Sequence, residues 1–226
     1  MTHYAEEMTR LKESLLAMAS HAESAVARAM RALLERDDEL SHQVQEDDNI
    51  LDQYEIEIDD IAIHLLAKAP LATDLRFTTI ATKTSANLER IGDEAVTIAR
   101  RAVELNTEPQ LKAYVDLPRM AEMALAMLHE AITALVNRDA ERARKVVVSD
   151  INVDDLNRQV HRELAGFMVE SPATITRSLK LMVISKSLER IADHATNIAE
   201  QVVYLLEAVD IRHSDKKAHE SQDSAR

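Results

Sequence analysis

The sequence predicts an all-α protein, a tandem repeat of two antiparallel three-helix bundles built from six long helices. Three observations carry this. Residues 88–100 read LERIGDEAVTIAR and residues 188–200 read LERIADHATNIAE, aligning without a gap with 8 of 13 positions identical, which marks an internal repeat. The 226 residues include only 2 Gly and 4 Pro, no Trp, and 3% aromatics, a composition of long helices and few connections. Apolar residues recur at three- and four-residue steps, as in Leu88, Ile91, Ala95, Ile98, Ala99 and Ala102, the pattern of one buried helix face.

Each element follows from its own signals. The first helix is expected from about Tyr4 to Leu34, with Leu11, Leu15, Met18, Ala22, Ala25 and Ala29 at helical spacing, and Arg36-Asp37-Asp38 as the turn after it. The second runs from about Leu40 to Ala69 through Val44, Leu51, Ile58, Ile61 and Leu65. Pro70 stops it, because proline lacks the amide proton and clashes with the preceding turn. Thr73 or Asp74 is the expected cap of the third helix, which continues to about Leu105. Pro109 and Pro118 bracket the one long break, Asn106–Leu117. The fourth helix spans about Arg119 to Val136, and Arg138-Asp139 turns into the fifth, about Ala140 to Val169. Ser171-Pro172 reads as a cap followed by a first helical residue, and the sixth helix continues to about Val209. The expected organisation is a first bundle over 1–106, a link over 107–118, a second bundle over 119–210 and a polar, disordered tail over 211–226.

The repeat extends past the two motif helices. Arg36-Asp37 matches Arg138-Asp139 and Pro70 matches Pro172, both 102 residues apart, and the offset falls to 100 at the motif. Each half is therefore three helices of roughly 30 residues, about 45 Å long at 1.5 Å per residue.

Composition narrows the function. The net charge of −13, from 27 basic and 40 acidic residues, disfavours nucleic acid and anionic lipid as partners. With no Cys, disulfides, thiolate catalysis and cysteine zinc sites are excluded. No basic, apolar leader opens the chain and no run of 18 apolar residues occurs, so a cytoplasmic protein without membrane insertion is expected. No glycine-rich phosphate loop, nucleophile elbow or Ser/His/Asp order appears, and the chain is not expected to be an enzyme.

The chemistry-bearing feature is acidic. Beside each apolar face runs a stripe of oxygen-bearing side chains, Glu89-Asp93-Thr97 in one copy and Glu189-Asp193-Asn197 in the other. At the 102-residue offset the second helix of each half adds a pair, Asp48 with Asp52 and Asp150 with Asp154. Residues four apart on a helix have Cβ atoms about 5–6 Å apart, where like charges repel slightly. Hard cations reverse that sign by taking oxygen ligands from several carboxylates. Four acids per bundle facing one groove would form a metal-cluster constellation, against the alternative of solvated acidic faces on an acid-rich chain. Arg90 and Arg190 read by default as core-edge residues pairing with these acids. His194 stands where the first copy has Glu94 and reads as incidental. Glu39-x-x-His42 has di-iron spacing but no counterpart in the second half. Met120, Met123 and Met127 read as core filler.

The segment Pro70-Leu71-Ala72-Thr73-Asp74-Leu75-Arg76, with Lys83 and Leu88-Glu89-Arg90-Ile91-Gly92-Asp93, resembles the PhoU family of bacterial phosphate-transport accessory and regulatory proteins. Pro172-Ala173-Thr174, Leu188-Glu189-Arg190-Ile191-Ala192-Asp193 and Asn197 resemble that family's second repeat. This sequence departs from the pattern in three places: Ala192 stands in place of Gly, Ile175-Thr176-Arg177 in place of Asp-Leu-Arg, and Thr97 stands opposite Asn197. The resemblance covers about residues 5–210 and implies tandem three-helix bundles, a homodimer, and metal clusters as in some members. It implies Asp48, Asp52, Glu89 and Asp93 as ligands of one cluster, and Asp150, Asp154, Glu189, Asp193 and Asn197 as ligands of the other, with iron, zinc, manganese, magnesium or calcium as the ion. It also implies a non-enzymatic negative regulator of phosphate uptake and phosphate-starvation signalling. Such a regulator couples the ATPase subunit of a phosphate ABC transporter to a phosphate-sensing histidine kinase. A metal-free helical adaptor and a ferritin-like carboxylate metalloprotein are the competing readings; the latter would require Glu-x-x-His pairs on two helices, which the sequence lacks.

Overall fold

The computed structural model describes residues 3–68, 71–209 and 211. Among them are seven α-helices, one short 3-10 turn and no strand: α1 (His3–Glu35), α2 (Asp38–Glu46), α3 (Asp48–Ala67), α4 (Ala72–Asn106), α5 (Asp116–Asn137), α6 (Ala140–Glu170), the 3-10 turn Pro172–Thr174, and α7 (Ile175–Glu207). Pro70 and the tail over 212–226 lie outside the described residues.

The Arg-Asp dipeptide of each repeat is a helix-to-helix turn. Arg36 and Arg138 adopt the left-handed conformation, at φ 57° and 55°, and end α1 and α5 as non-glycine caps. The following aspartates begin the next helices, Asp37 accepting from the Leu40 amide and Asp139 from the Arg142 amide, each at 2.9 Å. Arg36 Nη2 also donates to the Asn106 and Glu108 carbonyls at 2.7 and 2.8 Å, tying this turn to the end of α4.

Four expectations at helix boundaries are corrected. The single helix expected over about Leu40–Ala69 is two helices, because the chain tightens by one turn at Asp47, whose amide bonds the Gln43 carbonyl while its own carbonyl accepts from Ile50. The Asp47 carboxylate is held by Arg28 Nη1 of α1 at 2.7 Å. The matching positions of the second half are Glu130 and Ser149, which offer no such pair, and α6 runs unbroken. Neither Thr73 nor Asp74 caps α4; Leu71 holds the cap position without a side-chain bond, and Asp74 instead accepts from the Tyr4 hydroxyl at 3.2 Å. Pro118 lies inside the first turn of α5, where its missing amide proton has no helical acceptor to lose. Ser171 caps the 3-10 turn rather than a long helix, and Thr174 Oγ1 bonds the Phe167 and Ser171 carbonyls at 2.8 and 2.7 Å.

Helices α1 to α4 pack among themselves, as do α5 to α7. The motif helices α4 and α7 also pack along each other and α1 touches α5, so one hydrophobic cluster runs through both halves. Leu88, Ile91, Ile98, Leu188, Ile191 and Ile198 are wholly buried in it, and Met120 and Met127 belong to it, as expected of core filler. The connection after α4 is pinned to the second half: Arg177 Nη1 donates to the Pro109 carbonyl at 2.9 Å and Lys180 Nζ to the Glu104 carbonyl at 3.2 Å.

Candidate metal-binding grooves

Each half presents an acidic face where its middle helix meets its motif helix. In the first half, α3 carries Asp48 and Asp52 and α4 carries Glu89 and Asp93. Close approach of these helices depends on Gly92: a Cβ there would stand 2.3 Å from Leu51 Cδ1 of α3. In the second half Ala192 fills the glycine position and Val153 the leucine position, both wholly buried. A larger residue on α7 is thus matched by a smaller one on α6.

The carboxylates of each groove feel one another. Burial, then Asp93 and Asp52, raise the Asp48 carboxyl above the usual range, against the opposing Arg100. Burial and Asp93 raise Glu89, with Arg90 opposing. In the second groove, burial followed by Asp193 and Asp154 pushes Asp150 up to about 7, with the Thr196 hydroxyl working in the other direction and Glu189 adding to the rise. Asp154 is raised by burial and Glu189, against Arg158 and Lys186. Two charges drawn together in a partly desolvated groove disfavour ionisation, and in each half acids of the middle helix and of the motif helix influence one another across the groove.

Asn197 stands apart from its group. It is exposed, and its Nδ2 lies 3.5 Å from Asn87 Oδ1, on the junction of α4 with α7. Thr196, one residue earlier, is the residue of that turn that faces Asp150. Sequence reasoning also missed Glu55 of α3, half-buried and raised by burial, Asp59 and Asp52, against Arg90. The signal was available, since Glu55 follows Asp52 by three residues on the same helix face. Its repeat counterpart, Asn157, is a neutral amide whose Oδ1 accepts from Ser185 Oγ at 2.5 Å. The first groove thus holds one carboxylate more than the second.

Cationic side chains lie against these acids. Arg90 Nε is 3.4 Å from Glu89 Oε2 and its Nη1 is 3.2 Å from Asp93 Oδ2, as the default reading of this arginine expected. Lys186 Nζ is 2.5 Å from Glu189. Arg190 instead crosses between the motif helices to Glu94 Oε1 at 3.1 Å. His194 is not incidental: its Nδ1 lies 3.0 Å from Asn87 Oδ1 at the same junction, and burial lowers its proton affinity. Glu39 and His42 are both exposed at the start of α2.

Tested against a metal ion, the donor chemistry fits: carboxylate oxygens from two helices suit hard cations, and Gly92 permits the approach that faces Asp48 with Asp93. The side-chain placement is not that of a closed ligand shell, since among the described residues no three His, Asp or Glu are gathered closely enough to hold an ion. No described helix is long and apolar enough to cross a membrane.

Fold and grooves together define a tandem helical-bundle protein with one acidic groove per repeat. The PhoU domain model matches residues 15–102 and 117–202, and the chain belongs to the PhoU family. It is 39% identical over 209 residues to the phosphate-specific transport system accessory protein PhoU homolog of Pseudomonas aeruginosa, covering 92% of this chain and 86% of that one. It is 36% identical to the homolog of the same description from Aquifex aeolicus, covering 94% and 96%. The crystal structure of PhoU from Pseudomonas aeruginosa superposes with a TM-score of 0.88 at 38% identity, over 92% of this chain and 100% of the other. The phosphate transport system regulatory protein PhoU from Streptococcus pneumoniae gives 0.87 at 26% identity, over 92% and 99%.

Proposed function

We propose that this protein is a non-enzymatic accessory regulator of phosphate transport that works by binding partners. The observation that carries the reading is family membership along nearly the whole chain, among relatives described as accessory proteins of the phosphate-specific transport system. In this reading it acts in the cytoplasm as a homodimer. It restrains phosphate uptake and phosphate-starvation signalling by contacting the ATPase subunit of a phosphate ABC transporter and a phosphate-sensing histidine kinase. A regulator shifts an equilibrium only by binding one state of its partner better than another, and both of those partners alternate between states. The long paired helices offer surface for such docking. Deleting the gene should leave phosphate-starvation genes expressed in phosphate-rich medium, and the tagged protein should recover transporter and kinase. Normal repression in the deletion strain with neither partner recovered would overturn the reading.

The acidic grooves are proposed to bind divalent or trivalent cations (iron, zinc, manganese, magnesium or calcium), with Asp48, Asp52, Glu89 and Asp93 as ligands in the first and Asp150, Asp154, Glu189 and Asp193 in the second. The support is the elevation of Asp48, Glu89, Asp150 and Asp154 by burial and by neighbouring groove carboxylates, a cost that a cation removes. Bound to the folded chain alone, it stabilises by mass action, by about 2.7 kcal/mol at a hundredfold excess over Kd. Elemental analysis, with melting curves before and after chelation and metal return, tests this; no bound metal and no shift would refute it.

A further inference from the structure

The two motif helices are related by the repeat, yet their arginines behave differently, and the cause lies at the junction between them. Arg190 reaches across α4 to Glu94. By the same symmetry Arg90 would reach position 194, but His194 stands there, engaged with Asn87. Denied an acidic partner across the junction, Arg90 turns back onto Glu89 and Asp93 of its own helix. In the second groove Arg190 is committed elsewhere, and the cation against Glu189 is Lys186, whose repeat counterpart is Ala86. Each motif helix therefore sets a basic side chain against its own groove acids, supplied from a different position in the two repeats.

We propose that Arg90 and Lys186 are the displaceable counter-ions of the two grooves, each holding acids that a divalent cation must take from it. The inference rests on the cation-binding reading above. Both close ion pairs lie within one helix, Arg90 with acids of α4 and Lys186 with an acid of α7, while Glu55 and Asp154 on the opposite walls feel these cations only through their field. A divalent ion can bond carboxylates of both walls at once. Arg90 is 64% exposed, so its guanidinium can leave for water without breaking the core, and exposed ion pairs of this kind are weak. The Glu94/His194 difference at the junction thereby sets which groove is guarded by an arginine.

The test uses metal-stripped full-length protein titrated with Mn2+, followed by electron paramagnetic resonance, and with Zn2+, followed by the Nε–H signal of Arg90 in NMR. Arg90→Gln should tighten the first site roughly tenfold, the scale of removing one nearby like charge from a partly exposed groove, and leave the second unchanged. Lys186→Gln should do the reverse. Asp93→Asn and Asp193→Asn identify which site is which by weakening it. On Zn2+ addition the Arg90 signal should move to that of a solvent-exposed guanidinium. If the unaltered protein binds metal but Arg90→Gln binds no tighter, or the Arg90 signal stays in place at saturation, the counter-ion proposal is wrong while the cation reading stands. If neither ion binds the unaltered protein, the cation reading falls and this proposal with it.

Discussion

At the scale of single residues, two positions decide how the grooves are built. Gly92 is required by the close approach of Leu51, and the second repeat meets the same constraint with Ala192 against Val153. Gly92→Ala gains about 1 kcal/mol of helix propensity, but it forces Leu51 out of a packed rotamer at a cost of about 1–3 kcal/mol. A net loss in thermal stability is expected. Adding Leu51→Val, which copies the second repeat, should recover it; a double-mutant cycle with no coupling would refute this account. Asp150 supplies the pH dependence. Its folded pKa of about 7 lies above the unfolded value of 3.8, so between these values the folded chain holds the extra proton. Its effect on stability is nil below the unfolded pKa, grows into a penalty as pH rises from there, and is complete once pH has passed the folded pKa. In chelated protein Asp150→Asn should raise Tm at pH 8 and leave it unchanged near pH 4. An equal shift at both values would show that the charge is not the cause.

At the scale of elements, the Arg-Asp turns show how a local signal reads correctly for a reason the sequence hides. The dipeptide repeats because one residue must end a helix in the left-handed region and the next must accept the first free amide of another. Asp37→Ala and Asp139→Ala should each cost about 1 kcal/mol, measured by denaturant unfolding, whereas Glu141→Ala in the same turn should be nearly silent. Where the elements departed from periodicity, a partner on another helix was responsible. The break at Asp47 is held by Arg28 of α1, and a cavity of about 250 Å³ opens beside it between α1 and α4. The matching site of the second half is a cavity of about 310 Å³ lined by Met123 and Met127, where Glu130 pairs with Arg142 rather than with position 149, and α6 continues straight through.

At the scale of the whole molecule, the consequence of α4 packing on α7 is cooperativity. Two bundles joined by a link could melt separately, but here unfolding either half would expose the apolar face of the other's motif helix. Calorimetry of the full chain should therefore give one transition with equal calorimetric and van't Hoff enthalpies. Two resolved transitions would mean that the halves are thermodynamically independent. Saturating cation should move the single transition as a unit.

Sequence alone determined the helical class, the repeat, the buried faces and the placing of an acidic pair on the middle and motif helices of each half, because helical period and repeat offset are properties of residue order along the chain. It also carried the family, through the LERI-x-D segments of both copies. What lay beyond it depended on which side chain meets which across helices. Asp47 broke a helix because Arg28 was opposite, Arg90 and Arg190 parted because positions 94 and 194 differ, and His194 acquired a role because Asn87 faced it. Glu55 gained carboxylate neighbours and Asn157 a tether to Ser185 by the same means. Periodicity fixes the face on which a residue stands, but the partner across that face is set only when helices from distant parts of the chain pack, since interaction energies fall off over a few ångströms.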